Sequence, residues 1–204
     1  IGTVAGLSMN STGAWSFDPT NGAYQYLAAG QTLTQVVSYK VTDDQGASAT
    51  NSFSLTITGT NDAPVATFTT AQVATEDAAS ISGQLTSTDV DVQGKTASYM
   101  QTSAVAGMTI NADGSWSFDP TNGAYQYLAA GQTLTQVVSY KVTDDQGASA
   151  TNSFSLTITG TNDAPVATFT TAQVATEDGA TVMGQLTSTD VDVQGKTASY
   201  MQTS

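Results

Sequence analysis

The run Thr50-Asn51-Ser52-Phe53-Ser54-Leu55-Thr56-Ile57-Thr58-Gly59-Thr60-Asn61-Asp62-Ala63-Pro64 alternates hydroxyl and apolar side chains, breaks at a glycine and ends on a proline. Period-two alternation sets Phe53, Leu55 and Ile57 on one face and Ser or Thr on the other, the pattern of a strand with one buried face. The hexapeptide Gly59 to Pro64 then separates this strand from a further extended run, Val65 to Val73. A glycine, oxygen-bearing side chains and a φ-restricting proline read as a joint between modules, not as a turn inside one. The same hexapeptide returns as Gly160-Thr161-Asn162-Asp163-Ala164-Pro165.

The joint is part of a long internal repeat. Trp15 to Asp77 is identical to Trp116 to Asp178, and Gly83 to Ser103 is identical to Gly184 to Ser204, both at a shift of 101 positions. The copies differ across residues 1–14 against 102–115, and at 78–82 against 179–183. A period this long marks an array of whole domains, not a solenoid. Counted from joint to joint, residues 63–163 form one complete repeat, 1–62 the C-terminal part of a preceding repeat, and 164–204 the N-terminal part of a following one. Ile1 reads as a cut inside a longer protein.

Outward from the quoted strand, Thr32 to Asp43 forms its partner, with Val37, Tyr39 and Val41 on one face. Shorter strands are expected at Leu7–Asn10 and Trp15–Asp18, and in the next copy at 108–110 and 116–118. There Asp113-Gly114 is a hairpin turn, which gives Asp113 a turn role. Ala23 to Ala29 is expected to make one short helical turn. Beyond the joint, Val65–Val73, Ser80–Thr88 and Thr96–Gln101 add three strands. About seven short strands per repeat and no long helix define an all-β fold: tandem immunoglobulin- or cadherin-like Greek-key β-sandwiches. The Trp and Tyr residues belong in the sandwich core; sugar stacking is the competing use for them.

Composition removes most chemistry. The chain has 204 residues, a net charge of -13, no Cys, no His and four basic residues, all lysines. It therefore lacks an imidazole base, a thiol nucleophile, a Cys/His zinc site and an arginine clamp for phosphate, which argues against an enzyme. A polyanion is repelled by nucleic acid and by anionic membranes. No apolar run is long enough for a transmembrane helix.

The acids are not scattered. In a seven-strand sandwich, the loops between strands 2 and 3 and between strands 6 and 7 lie at the end where the chain comes in. Asp89, Asp91, Asp144 and Asp145 therefore converge beside Asn61 and Asp62. The loop between strands 1 and 2 lies at the opposite end, so Glu76-Asp77 meets Asn162 and Asp163. Clustered carboxylates repel unless a cation sits among them, and an all-oxygen set suits Ca2+ better than Mg2+.

The stretch Tyr24 to Ala66, repeated at Tyr125 to Ala167, resembles the VCBS repeat of very large bacterial surface proteins, in particular the extender modules of RTX-type adhesins. That resemblance implies type I secretion and tandem sandwiches that carry an adhesive tip away from the cell in attachment and biofilm formation, with calcium at the joints. A more distant similarity is to cadherins, where a Glu after the first strand, an Asn-Asp joint, an Asp-x-Asp and a late Asp hold interdomain calcium. Glu76 and Glu177 match the first of these; Asn61-Asp62 and Asn162-Asp163 the second. Asp89/Asp91 and Asp190/Asp192 match the third, and Asp43 or Asp44 and Asp144 or Asp145 the last. Where cadherins carry an acidic motif before the sixth strand, this chain has Ala28-Ala29-Gly30-Gln31, which implies fewer ions per joint.

The function expected from this reading is mechanical: an extracellular spacer stiffened by calcium, with neighbouring identical repeats as its partners. The alternative is that the sandwich itself is a glycan- or cell-binding module. The phase of the repeat carries a further expectation. The two terminal parts are complementary halves, so they should complete one another between molecules, with Glu177 of a second chain serving the first joint.

Overall fold

The computed structural model describes residues 3–91, 97–193 and 199–203. Among these the chain forms strands and turns and no helix. The first partial repeat holds β1 (Leu7–Met9), β2 (Trp15–Phe17), β3 (Thr32–Thr42) and β4 (Ser48–Thr58). The complete repeat holds β5 (Val65–Ala66), β6 (Gln72–Thr75), β7 (Ile81–Gln84), β8 (Ser87–Thr88) and β9 (Ser98–Gln101) in its front half. Its back half is β10 (Met108–Ile110), β11 (Ser115–Phe118), β12 (Thr133–Thr143) and β13 (Ser149–Thr159). The last part contributes β14 (Val166–Ala167) and β15 (Ser188–Thr189). Thr96, where the strand ending at Gln101 is expected to begin, lies outside the described residues.

In the complete repeat one sheet has the order β6-β13-β12-β9 and the other β10-β11-β7, with β5 paired to β8. The expected first strand is thus two strands. Its front piece, β5, runs antiparallel to β8, whereas β6 crosses to the other sheet and runs parallel to β13. The crossing segment is held by the Tyr140 hydroxyl, which donates to the Phe68 carbonyl at 2.9 Å, and by the Asn152 amide, which donates to the Ala66 carbonyl at 2.8 Å. The expected second strand is likewise split into β7 and β8. The long hairpin β12–β13 pairs eleven residues from each strand, Thr133 opposite Thr159 through Thr143 opposite Ser149.

The core lies between the two sheets. Phe154, Leu156 and Ile158 from β13 and Val138, Tyr140 and Val142 from β12 are buried against Trp116 and Phe118 of β11. Phe154 packs edge-on to Phe68 at 5.1 Å between ring centroids and tilts against Trp116 at 5.6 Å. Period-two alternation therefore becomes sandwich burial. Gly83 is required here: a Cβ at that position would stand 2.6 Å from the Trp116 ring. The aromatic expectation holds for Trp116, Tyr125 and Tyr140, while Tyr26 and Tyr127 are exposed.

The expected helical turn at residues 23–29 is replaced by consecutive tight turns. Tyr24 and Leu27 donate their N–H groups to Asn21 and Tyr24 carbonyls at 3.0 Å, and the Asn21 side chain accepts from Ala23 N–H. Asn21 competes locally for the backbone, so the segment stops at turns. These turns receive the end of β4. A Cβ on Gly59 would collide with the Leu27 and Ala28 carbonyls, which is the physical reason for the glycine that opens each joint.

Candidate functional site at the inter-module joints

Each joint begins where a long strand ends, and each is gripped by carboxylates distant in sequence. At the first joint the Asn61 amide donates to Asp144 Oδ2 at 2.9 Å, and the Asp62 N–H donates to Asp91 Oδ2 at 3.0 Å. The Asp91 N–H in turn donates to Asp89 Oδ1 at 3.0 Å. Asp144 also closes the β12–β13 turn, its Oδ1 accepting from the N–H groups of Gln146 and Ala148 at 2.9 Å. Burial opposes its ionisation, but the Asn61 amide and the N–H groups of Ala148, Gln146 and Gly147 outweigh it and hold the carboxyl below its usual range. Asp145 is exposed.

At the second joint the module, the linker and the following segment contribute together. Glu76 is 1 % exposed, and its Oε2 accepts the Thr161 N–H at 3.0 Å. Asp77 accepts from the Thr161 hydroxyl at 3.2 Å and from the Gln126 amide at 3.1 Å. To face that way Asp77 adopts φ of 60°, a left-handed conformation that Asp tolerates better than most residues. The Asp163 N–H donates to Asp192 Oδ2 at 3.1 Å, and the Asp192 N–H to Asp190 Oδ1 at 3.0 Å, repeating the first joint's Asp62, Asp91 and Asp89 pattern. Asn162 instead donates to the carbonyl of Asp163 at 2.9 Å.

These contacts leave a residue of unsatisfied oxygens. Glu76 Oε1, Asp163 Oδ2 and Asp192 Oδ1 at the second joint, and Asp91 Oδ1 at the first, are buried without a hydrogen-bond partner. A buried carboxylate oxygen without a donor is costly. Two of these carboxyls are correspondingly hard to ionise. The Glu76 carboxyl is pushed up by burial, against the pull of the Thr161 N–H, and further by repulsion from Asp163, Asp77 and Asp192. The Asp163 carboxyl is pushed up by burial and by the charges of Asp77, Asp192 and Asp190. Among the described residues no three acidic side chains form a ready-made metal-holding group. One oxygen of each of Glu76, Asp91 and Asp192 is committed to a joint N–H, which leaves the other as the atom available to a cation.

The remaining candidates stand apart from this geometry. Asp43 Oδ1 accepts from Gln45 and Ala47 N–H groups and shapes the exposed β3–β4 turn, with Asp44 exposed beside it. Glu177 is also exposed. Two contributors were not singled out from the sequence: Thr161 as a donor to Glu76, and Gln126, which reaches the joint from the β11–β12 connection; Asp77 was placed at this joint by strand parity, but its left-handed backbone was not foreseen. The Thr that follows the glycine in both joints was the available signal for the first.

The oxygen-only donor set, the burial of its members and their unpartnered oxygens fit a hard divalent cation such as calcium. Residues 61–160 match the family described as "Bacterial cadherin-like domain". Solved structures to which this chain is similar include protocadherin gamma B2 extracellular cadherin domains 1–5, at 14% identity over 91% of this chain and 37% of that one, with a TM-score of 0.49. Protocadherin gamma B7 extracellular cadherin domains 1–4 are 12% identical over 83% of this chain and 42% of that one, with a TM-score of 0.48. Drosophila N-cadherin EC1–4 is 16% identical over 79% of this chain and 41% of that one, with a TM-score of 0.47. The chain thus spans less than half the length of each. No curated protein matches it. Residues 61–160 are thus similar to a cadherin-like domain, and the fold is an all-β sandwich.

Proposed function

We propose that this chain is a section of an extended bacterial surface protein, in which cadherin-like repeats act as spacers and calcium stiffens each joint. The observation that carries this reading is the second joint. Glu76 from the module, Asp163 from the linker and Asp192 from the following segment turn buried, unpartnered carboxylate oxygens into one junction. Calcium bound there supplies the positive charge and the coordination that these oxygens lack. Thr161 and Asp163 N–H groups already tie the linker to both sides, so the carboxylates are presented before any ion arrives. Without a cation, the same acids repel across the joint and favour bending.

Eleven-residue strands are about 35–40 Å long, so each repeat adds at least that reach. An affinity on the order of 10⁻⁴–10⁻³ M, usual for extracellular modules, suits a joint that is loose before export and firm outside the cell. The similarity to VCBS and RTX extender repeats supports attachment and biofilm formation as the setting and the type I route as the means of export. Burial of Trp116 leaves the complete repeat without the exposed indole that a glycan-binding face would use. The test is small-angle scattering combined with thermal melting, with calcium and with chelator. Chelation should lower the melting temperature and shorten the maximum dimension, and Glu76→Gln should reproduce both with calcium present. A profile and melting curve indifferent to chelator would sink the reading.

A further inference from the structure

Gly83 and Gly160 are imposed by close approach, since a Cβ on either would strike an indole or a pair of carbonyls. Gly123 is imposed by nothing of the kind: its φ is not left-handed, and a Cβ there would meet no atom within 4 Å. What it alters is the chemistry of the residue before it. Asn122 is half-buried, Gly123 is exposed, and the Gly123 N–H donates to no group among the described residues. The Asn122 side chain folds back along the chain, its Oδ1 accepting from the Ala124 N–H at 3.0 Å. Such an Asx turn lays the side-chain amide over the following peptide nitrogen, and no Cβ on residue 123 shields that nitrogen. The Ala124 N–H is also placed to hold charge that gathers on Oδ1 as the amide carbon becomes tetrahedral. Asn21, Gly22 and Ala23 repeat the arrangement, again at 3.0 Å.

We propose that Asn122-Gly123 and Asn21-Gly22 are self-modification sites, where the chain deamidates through a succinimide and thereby loosens the turns seated under each joint. Hydroxide removes the Gly123 amide proton. The nitrogen then bonds to Asn122 Cγ, and the bond from Cγ to the side-chain nitrogen breaks. That nitrogen takes a proton from water and leaves as ammonia, which regenerates hydroxide. Water next opens the ring at either carbonyl. One opening leaves an ordinary aspartate, the other an isoaspartate whose side-chain carbon has joined the main chain. Both add one negative charge, and no oxidant or reductant takes part.

The other asparagines supply the contrast. After Asn61 and Asn162 the attacking nitrogens would be those of Asp62 and Asp163, whose N–H groups are committed to Asp91 and Asp192. After Asn152 the Ser153 N–H is committed to Asn152 Oδ1 within β13. Asn10 makes the same turn, with the Thr12 N–H, but Ser11 follows it and carries a Cβ. The consequence for the joint follows from the turn series. The Asn122 carbonyl accepts the Tyr125 N–H at 3.0 Å, the Tyr125 carbonyl accepts the Leu128 N–H at 2.9 Å, and the Leu128 carbonyl lies against Gly160. Gln126, which donates to Asp77, sits on the same turns. Isoaspartate lengthens the main chain at the head of this series, so the displacement is carried toward the joint. The chemistry stands independently of the calcium reading.

The experiment ages the full chain in mildly alkaline buffer, cleaves it after each of its four lysines and follows the peptides by mass spectrometry. Residues 1–40 and 96–141 carry Asn21 and Asn122, whereas 41–95 and 142–196 carry Asn61, Asn152 and Asn162. The first two peptides should gain the mass of NH2 exchanged for OH, with fragmentation placing the change at positions 21 and 122. The other two should lag by about tenfold or more, equivalent to about 1.4 kcal/mol of barrier. Gly123→Ala enters open space, so the fresh variant should melt no lower than wild type. Conversion at position 122 should slow by the same factor, while Asn21 of the same molecule converts as before. Aged wild type should melt below the fresh chain, and the double variant Gly22→Ala, Gly123→Ala, aged alike, should not. Equal conversion in all four peptides, no conversion at position 122, or a Gly123→Ala chain that converts as fast as wild type overturns the chemistry. A fully converted chain whose melting is unshifted overturns the loosening.

Discussion

Residues 15–62 and 116–163 are one sequence in two settings. Trp15 is 50% exposed and Trp116 3%; Val41 is 60% exposed and Val142 0%. The hairpins themselves are alike: β3–β4 and β12–β13 pair eleven residues each in the same register, and the Thr34–Thr56 and Thr135–Thr157 hydroxyl contacts recur at 3.1 and 3.0 Å. The tyrosine anchors recur too, Tyr24 hydroxyl to Ala5 carbonyl and Tyr125 hydroxyl to Ala106 carbonyl. What differs is burial. Local pairing and turns are properties of the half-sandwich, and the core forms only when β5 to β9 cover it. The converse comparison agrees. Gln72–Thr75 is a strand because β13 lies beside it, while the identical residues 173–176 have no such neighbour and form none.

The comparison breaks most readily at the phenylalanines of the two hairpins. Phe154→Ala removes a ring packed against Phe68 and Trp116 and should cost about 3–5 kcal/mol in urea unfolding. Phe53→Ala, at the partly exposed equivalent, should cost well under half of that in dilute protein. Equal losses would show that the first copy is covered after all. At the glycines the expected effect is smaller: Gly83→Ala forces a Cβ into the Trp116 ring and should cost about 1–3 kcal/mol. Gly184→Ala should leave the dilute chain unchanged.

The smallest effect is on pH. The Glu76 carboxyl titrates above its ordinary 4.5, so in chelator its ionised form works against the closed joint. That penalty is relieved as pH falls through the raised value and is gone below 4.5, so acidification from neutral should raise the melting temperature until then. Glu76→Gln should flatten this rise. Asp144 acts in the opposite sense and in a lower window, because a carboxyl held below its ordinary 3.8 contributes stability that is lost only as pH falls through the lowered value.

Much of this was legible before the fold. Alternation at Phe53, Leu55 and Ile57 marks a strand buried on one face, and strand parity alone brings Asp89 and Asp91 toward Asn61-Asp62 and Glu76 toward the second joint. Parity works because each strand carries the chain from one end of the sandwich to the other. The crossing of the first strand between sheets was not legible, since Thr67 to Ala71 has no residue that forces a break; Tyr140 and Asn152, far along the chain, hold it. Nor was the turn series at residues 23–29, where an Ala- and Tyr-rich run favours helix until Asn21 and the arriving Gly59 compete for the same backbone groups.

The sequence by itself determined the repeat, the strand faces and the ends at which the acids gather, because these follow from period, spacing and parity. Only the tertiary structure decided which copy acquires a core, which carboxylate oxygens are buried without donors, and that Asn61 meets Asp144 while Asn162 does not. Burial and hydrogen bonding depend on what lies opposite a residue, and identical residues here have different neighbours.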